Sequence, residues 1–333
     1  MTAAATAAAD APRATFRGSI RRSRRWALIS SYFFLILFAI FFLVPPYYQL
    51  VTATKTSDQI SNQSTNPWLP ALTASDTGLN PGGANASKAS LEVQNAPGKS
   101  WLPPAISGAL ANVRQLMNDT DFPIYFRNTA IVTVCVVVIT MVIAVPAAFS
   151  LGRMRFWGSG ILATGVFLTY LVPDSLLFIP LFKIVGGLGL LNTYWGLVLV
   201  YPTLTVPFCT WIMIGYFQSI PKELDEAALI DGANHRQMLF KIFIPVALPG
   251  LIAATIFAFT VSWAAFVYPM AFIYSSDQLV LTAGTITSLV KADVYQWGMI
   301  MTAALLAAAP PLVIYAFLMD YYIAGLTAGA TKG

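Results

Sequence analysis

Residues 223–250, ELDEAALIDGANHRQMLFKIFIPVALPG, form a highly charged stretch with long apolar runs on both sides. The carboxylates at its start favour a helix N-terminus, where the helix dipole stabilises negative charge. Gly232 is predicted to end that helix, because glycine can turn there without a steric penalty. A second amphipathic segment follows between Met238 and Phe243, and Pro245 is predicted to end it. The stretch therefore predicts a short helix, a glycine turn and a second short helix.

Two interpretations of this stretch stay open on the residues alone. Ala227 and Ala228 place very small side chains on one face of the first helix, so another protein could approach its backbone closely. The alternative is an ordinary polar loop that joins two membrane spans.

The motif in this stretch resembles the EAA loop of binding-protein-dependent ABC importer permeases. The matching positions are Glu226, Ala227, Ala228, Asp231, Gly232, Ala233, Phe240, Ile242, Pro245 and Pro249. One departure is Ile244, where the family usually has leucine before the proline. The resemblance implies that the loop is a coupling helix that docks into a groove of a cytoplasmic ATPase subunit. The coupling residues that it implies are Glu226, Ala227, Ala228, Asp231, Gly232 and Ala233.

Composition indicates an integral membrane protein. Of the 333 residues, 57% are hydrophobic and only 10% are charged, whereas a soluble domain carries about 25% charge. The mean hydropathy is +0.69. The two cysteines, Cys135 and Cys209, both lie in apolar runs, so we expect neither a disulfide nor a metal site.

Apolar runs and polar links predict an all-α integral membrane protein with six transmembrane helices and a long first extracytoplasmic loop. The resemblance implies that it also has a cytoplasmic EAA coupling helix. The first run is too long for a signal-peptide core, and we expect it to be retained. The predicted spans are 26–51, 127–151, 159–183, 194–217, 246–273 and 298–324. The predicted organisation starts with a cytoplasmic basic N-terminal segment at 1–25, the first span at 26–51 and an extracytoplasmic loop at 52–126. A permease core of five spans follows at 127–324 and includes the coupling loop at 219–244. A cytoplasmic tail at 325–333 ends the chain.

The distribution of Lys and Arg predicts the orientation. An arginine cluster precedes the first span, and most of the 19 Lys and Arg residues then fall on the side that also holds residues 219–244. Such a cluster could belong to a nucleic-acid-binding tail, but its place directly before a span favours a topology signal. Both termini and the coupling loop are therefore predicted to be cytoplasmic.

The 52–126 loop is predicted to be mostly irregular, with one amphipathic helix near its end. Its length suggests a cap that meets the binding protein or the partner permease. The predicted apolar face of the helix comprises Ile106, Ala109, Leu110, Val113, Leu116 and Met117.

A second resemblance is to carbohydrate-uptake permeases, the maltose-type inner subunits, and it runs from about residue 26 to the C-terminus. The positions that carry it are Pro173, Pro180, Leu181, Gly189, Leu190, Asn192, Thr193, Gly196, Leu197, Phe217, Ile220 and Pro221. One departure is the pair Ala264 and Ala265, where many relatives have Asn-Glu.

This resemblance implies a permease for a sugar, oligosaccharide or glycoside in a bacterial inner membrane. The implied partners are a second permease subunit in a heterodimer, an ATPase dimer that binds ATP and Mg, and an extracytoplasmic solute-binding protein. Membrane lipid surrounds the chain, and no nucleic-acid partner is implied.

Chemistry in the chain itself favours transport over catalysis. No phosphate-binding Gly-rich loop and no catalytic constellation occur, so neither catalytic residues nor a cofactor of its own are expected. Aromatic faces can stack on sugars, and an intramembrane acid suggests a function. The candidates for the substrate pathway are Asp174, Trp211, Trp263, Phe266 and Tyr268.

Each of these candidates also has a structural interpretation, because Asp174 could cap a helix break and the aromatic residues could anchor the membrane interface. An ion-coupled secondary transporter remains the alternative function, although Asp174 is the one suitably placed acid for it.

Overall fold

The computed structural model describes residues 16–55, 59–60, 66–70, 104–154, 156–291 and 294–330, and most of them are helical. The predicted external segment at 71–103 and the N-terminal residues 1–15 lie outside this part of the chain. The helices before the 219–244 loop are α1 (Phe16–Ala53), α2 (Pro104–Asp119), α3 (Phe122–Arg153), α4 (Ser159–Tyr170), α5 (Asp174–Gly187) and α6 (Tyr194–Ser219).

The second half begins with the loop itself and ends with one long helix. Its helices are α7 (Glu223–Ile230), α8 (His235–Met238), a π turn (Leu239–Phe243), α9 (Ile244–Val246), α10 (Leu248–Ala264), α11 (Val267–Phe272), a 3-10 turn (Ser276–Gln278), α12 (Leu281–Leu289) and α13 (Trp297–Ala330). A small antiparallel ribbon, β1 (Val290–Lys291) and β2 (Val294–Tyr295), pairs Val290 with Tyr295.

Within the part of the chain that the structure describes, four helices are long and apolar enough to cross a membrane, and two further pairs of helices pass the same criteria together. Counting each pair as one span gives up to six, which agrees with the all-α, six-span prediction. The long helices are Trp26–Ala53, Phe122–Arg153, Tyr194–Ser219 and Trp297–Met319. The bent pairs are Ser159–Tyr170 with Asp174–Gly187, at 93°, and His235–Val246 with Leu248–Ala264, at 82°.

Pro173 and Pro180 predict two interruptions of the third span, and the structure shows the first of them. The two helices of this span, α4 and α5, meet at a near right angle just before Pro173. Proline disfavours the helical conformation in the residue before it, so the helix ends there. Pro180, by contrast, lies inside α5 without breaking it.

The sequence predicts a polar loop at 274–296, between the fifth and sixth spans, but part of this segment is the helix α12. Leu281 and Leu289 on this helix are almost fully buried. Gly284 lies so close to the Tyr125 ring on α3 that an added Cβ would stand 2.5 Å from it. Asn128 on α3 donates hydrogen bonds from Nδ2 to the carbonyls of Asp277 and Leu279, at 2.8 and 2.9 Å. These contacts with a distant helix order the segment, and its own sequence pattern does not show them.

Helices α3, α6 and α10 form the centre of the fold. Two hydrophobic clusters follow one another along them, and small residues at the second cluster, such as Ala148 and Ala254, let the backbones approach closely. Between the helices, the buried hydroxyls of Thr140 and Thr205 are 2.6 Å apart. This core fixes the ends of α3 and α6, from which the 219–244 loop extends.

The amphipathic helix predicted at the end of the 52–126 loop is present as α2, but its buried face differs from the prediction. Ile106 and Leu110 are about half exposed, whereas Gly108, Asn112 and Leu116 are buried. Asn112 Nδ2 donates to the carbonyls of Ala53 and Lys55, at 2.8 and 3.0 Å. The helix turns this polar face inward because the carbonyls at the end of α1 need donors.

Helix α13 continues to Ala330, into the predicted C-terminal tail at 325–333. At the other end of the chain, α1 already begins at Phe16, within the predicted N-terminal segment. Almost every side chain from Trp26 to Leu50 is exposed in the isolated chain. Such an apolar surface is suited to lipid or to another membrane subunit.

Candidate functional site

The first half of the 219–244 loop folds as the sequence predicts. Helix α7 carries three acidic residues in its first turn, where they complement the helix dipole. Gly232 follows with a φ of 74°. Its N–H donates to the Leu229 carbonyl at 3.1 Å, and the Ala233 N–H donates to the Ala228 carbonyl at 2.9 Å. These two bonds form a Schellman motif that ends the helix, and its left-handed residue favours glycine.

The second half of the loop starts with a capping box. The Asn234 side chain accepts from the Gln237 N–H, and the Gln237 side chain accepts from the Asn234 N–H, both at 2.9 Å. The chain then continues through the π turn and α9 to Ala247, where it bends into α10.

The prediction that Pro245 ends this segment was wrong. Pro245 lies in the first turn of α9, where the first N–H groups have no partner within the helix, so its missing N–H costs little. Beyond it, the Ala247 N–H still donates to the Phe243 carbonyl at 2.8 Å. The bend therefore lies at Ala247, two residues later.

The predicted docking face of α7 needs a correction. Ala228 is only 4% exposed and is the one buried residue of this helix. It packs into the cluster that contains Phe217, Ile220 and Met238. Its small side chain brings α7 close to its own membrane domain, so Ala228 cannot offer its side chain to another protein.

The exposed surface of the loop instead combines small, acidic and large apolar side chains. Glu226, Ala227, Asp231 and Gly232 are exposed, and Ala233 is partly buried. Leu229 is 58% exposed, Ile230 is 87% exposed and Phe240 is 64% exposed. Large apolar side chains in open solvent next to a polar helix are typical of a protein contact surface.

Arg153, the last residue of α3, joins the loop to the membrane domain. Its guanidinium donates to the carbonyls of Phe217, Ile220 and Pro221, at 3.2, 2.9 and 3.2 Å. It also forms an ion pair with Asp225 on α7. The sequence suggested only a topological role for this arginine, because its partners are 64 to 72 residues away in the chain.

A cavity of about 800 Å³ lies beside this arginine. It separates part of α7 from the end of α3 and the start of α4. The residues that line it are Phe149, Leu151, Gly152, Arg153, Met154, Ser159, Gln218, Lys222, Asp225, Glu226, Leu229, His235 and Met238.

The structure brings two of the five substrate-pathway candidates into direct contact. Tyr268 Oη donates to the backbone carbonyl of Asp174 at 3.1 Å. The Asp174 side chain lies in the first turn of α5 and is exposed, which suits a carboxylate near a helix N-terminus. Phe266, two residues before Tyr268, is 39% exposed at the break between α10 and α11.

The two tryptophans, Trp263 and Trp211, make other contacts. Trp263 is buried, stacks on Phe259 and donates from Nε1 to the Ala307 carbonyl at 3.0 Å, so it holds α10 against α13. Trp211 stacks on Phe208, and its ring centroid is 4.9 Å from that of Phe167. Trp263 therefore acts in packing, whereas Trp211 keeps one half of its surface exposed.

The break in the fifth predicted span has its own hydrogen bonds. Helix α10 ends at Ala264, and the Thr282 hydroxyl donates to the Ala265 carbonyl at 2.6 Å. Asn192, at a φ of 60°, accepts the N–H groups of Tyr274 and Ser275 beyond the break. Thr282 gave no signal in the sequence, whereas Asn192 was among the positions that carried the family resemblance.

The bundle of apolar helices and the braced polar loop define a membrane-embedded permease subunit. The model of the family described as "Binding-protein-dependent transport system inner membrane component" matches residues 141–327. The chain belongs to this family, and it is an ABC-type permease subunit of the inner membrane rather than an ion-coupled secondary transporter.

Several curated proteins are similar to this chain. The inner membrane ABC transporter permease protein YcjP of Escherichia coli is 34% identical over 66% of this chain and 78% of its own length. The diacetylchitobiose uptake system permease protein DasC of Streptomyces coelicolor is 32% identical over 70% and 83%. The trehalose/maltose transport system permease protein MalG of Thermococcus litoralis is 32% identical over 66% and 80%.

A solved structure has the same fold. It is the crystal structure of a bacterial ABC transporter involved in the import of the acidic polysaccharide alginate. The matched chain shares 22% identity and a TM-score of 0.69, with 90% of this chain and 98% of that chain covered. The match extends the fold assignment beyond residues 141–327 to nearly the whole chain.

Proposed function

We propose that this chain is the permease subunit of an ATP-driven importer for a carbohydrate, namely a sugar, an oligosaccharide or a glycoside. The observation that supports this substrate class is the set of transport names among its relatives, which include diacetylchitobiose, trehalose/maltose and maltodextrin. In the proposed assembly, a second permease subunit forms a heterodimer with this chain, and an extracytoplasmic solute-binding protein delivers the substrate.

The proposed energy input comes from an ATPase dimer that binds ATP and Mg and meets the 219–244 loop. The exposed surface at Glu226, Ala227 and Asp231 contacts the ATPase, together with the apolar side chains of Leu229 and Ile230. Gly232 and Ala233 maintain the turn through the Schellman motif, and Ala228 seats α7 on its own membrane domain. The loop and both chain termini lie in the cytoplasm.

The proposed substrate pathway runs past the break before α5. The exposed Asp174 carboxylate and the Phe266 ring are available to hydroxyls and to the C–H face of a sugar, respectively. Tyr268 positions Asp174 through its hydrogen bond. Trp211 offers a further partly exposed aromatic face, whereas the buried Trp263 supports the pathway only through packing.

ATP hydrolysis stimulated by the binding protein tests this function in the reconstituted transporter. Val at position 232 strains a left-handed backbone by about 1–3 kcal/mol, whereas Asn tolerates that conformation. Gly232→Val is expected to assemble with reduced stimulation, and Gly232→Asn to retain most of it. Equal stimulation in both variants and the parent would contradict coupling through this turn.

The substrate class is tested separately by screening the cognate solute-binding protein against sugars, amino acids and inorganic anions. Thermal stabilisation by carbohydrates alone is the expected result, since a ligand that binds only the folded state raises the melting temperature. Stabilisation by an amino acid or an inorganic anion instead would exclude a carbohydrate importer.

A further inference from the structure

Arg153 lies at the end of helix α6, where backbone carbonyls need hydrogen-bond donors. The last carbonyls of a helix have no partners within it, and a cation near them is stabilised by the helix dipole. Arg153, at the end of the neighbouring α3, donates to the Phe217 carbonyl in the last turn of α6 and to the carbonyls of Ile220 and Pro221, which follow the helix. The ends of α3 and α6 are therefore fixed to each other by one side chain.

The same guanidinium also reaches the 219–244 loop from two sides. It pairs with the Asp225 carboxylate in the first turn of α7, and the two side chains are 6% and 23% exposed. Its carbon Cζ lies 4.9 Å from the centre of the Phe243 ring in the π turn. Burial protects such a pair from the solvent and salt that weaken surface ion pairs. One residue thus contacts both arms of the loop.

Helix α7 has little else to hold its angle relative to α3. Ala228 is its one buried residue, and the cavity of about 800 Å³ opens beside Asp225 and Leu229. Without the ion pair, α7 could tilt into this space about the packed Ala228. The pair therefore sets the angle between α7 and the end of α3.

The opposite end of α3 is anchored just as firmly. Asn128 holds the carbonyls of Asp277 and Leu279, and the Thr129 hydroxyl accepts the Leu281 N–H at 2.7 Å. A helix of 32 residues is about 48 Å long. One helix, which stays continuous through Pro146, therefore connects the 219–244 loop with the segment at 277–281 on the other side of the protein.

We infer that Arg153 and Asp225 are positioning residues that make α7 and α3 move as one body. Movement of α7 is then passed directly along α3 to the 277–281 segment, rather than through the linker at 220–222 alone. This inference rests on the proposed contact between α7 and an ATPase for its functional consequence. The contacts of α3 at Asp225 and at Asp277 lie within this chain, so the connection can be measured independently of the ATPase.

The connection is tested by distances between spin labels in the complete transporter, purified with its ATPase subunits. Labels are placed at Leu224→Cys on α7, outside the proposed ATPase contact, and at Trp157→Cys after α3, two exposed positions, in a Cys135→Ala and Cys209→Ala background. The test variant is Asp225→Ala. Its matched control is Glu223→Ala, which removes another carboxylate from the same helical turn and leaves the ion pair intact.

The expected result is one narrow distance distribution that persists with and without ATP and vanadate in the parent and in Glu223→Ala. In Asp225→Ala the distribution broadens, and it changes with nucleotide. Arg153→Lys, which keeps the charge but lacks the planar fork that binds several acceptors, broadens it as well. A distribution in Asp225→Ala that matches Glu223→Ala would overturn the inference.

Stimulated ATP hydrolysis gives the second measurement. Loss of the coupling reduces stimulation by about fivefold or more in Asp225→Ala, at unchanged copurification of the ATPase. Normal stimulation there, with Gly232→Val impaired, would refute the role of the ion pair and leave the proposed function standing. Normal stimulation in both variants would reject the coupling function, whatever the label distances show.

Discussion

Tyr268 holds the backbone of Asp174 through a 3.1 Å hydrogen bond to its carbonyl. The two residues belong to different bent segments of the membrane domain, since Asp174 begins α5 after the 93° bend and Tyr268 lies in α11 after a helix break. The contact therefore ties two irregular parts of the membrane domain together. Irregular backbone at membrane depth is tolerated where protein covers it or where it lines a cavity.

This contact predicts separable effects of two substitutions. Asp174→Asn removes the charge from an exposed side chain, so we expect uptake to fall about tenfold while assembly is unchanged. Tyr268→Phe removes one hydrogen bond to the backbone and should destabilise the subunit by about 1 kcal/mol. Uptake of the radiolabelled solute and thermal unfolding in detergent measure the two effects. Ser175→Ala, at the neighbouring exposed position, is the control. Full uptake by Asp174→Asn would remove Asp174 from the pathway.

The two neighbouring alanines of α7 predict a contrast that depends on burial. Ala228→Trp must force a large ring into a buried site and should destabilise the subunit by about 1–3 kcal/mol or more. Ala227→Trp adds the same ring to an exposed position, so the subunit should fold normally and lose contact with the ATPase. Thermal unfolding of the isolated subunit and copurification of the ATPase distinguish the outcomes. Equal unfolding temperatures for both variants would contradict the burial of Ala228.

The sequence predicts the spans well because hydrophobic length is a local property of the chain. The glycine turn was predictable for the same reason. A helix often ends in a residue with left-handed backbone conformation, and glycine, here Gly232, is favoured at that position. The burial of Ala228 was not predictable. Helix α7 has only eight residues, and its sequence does not show which of two faces packs against the membrane domain. The partner of Arg153 was beyond local patterns, since Asp225 lies 72 residues away.

The substrate pathway was only partly predictable from residue types. Trp263 and Trp211 have the same side chain, but one donates its indole N–H to α13 and the other stays half exposed. The difference arises because a different helix lies opposite each tryptophan. A single sequence does not show which helices pack against each other. Asp174 was identified because an acid beside Pro173 is unusual in an apolar run, and this signal is local.

The close packing of α2 on α1 predicts a strong effect of one added methyl group. A Cβ at Gly108 would lie 2.1 Å from the Thr54 carbonyl oxygen, so Gly108→Ala must push the two helices apart. We expect a loss of about 1–3 kcal/mol in stability, read as a lower unfolding temperature in detergent. Gly160→Ala is the matched control, because nothing lies within 4 Å of its added Cβ. Equal unfolding temperatures would show that α2 is not seated on α1 in this way.

The orientation of the chain predicts which positions a membrane-impermeant thiol reagent can reach. Ser276 and Gln237 are both exposed and lie at opposite ends of the membrane domain, one after α11 and one in the 219–244 loop. In a Cys135→Ala and Cys209→Ala background, Ser276→Cys should react in intact cells, whereas Gln237→Cys should react only after permeabilisation. The positive-inside distribution of Lys and Arg is the physical reason. Reaction of Gln237→Cys in intact cells would place the loop outside, where no ATP-hydrolysing partner could bind it, and the coupling proposal would fail.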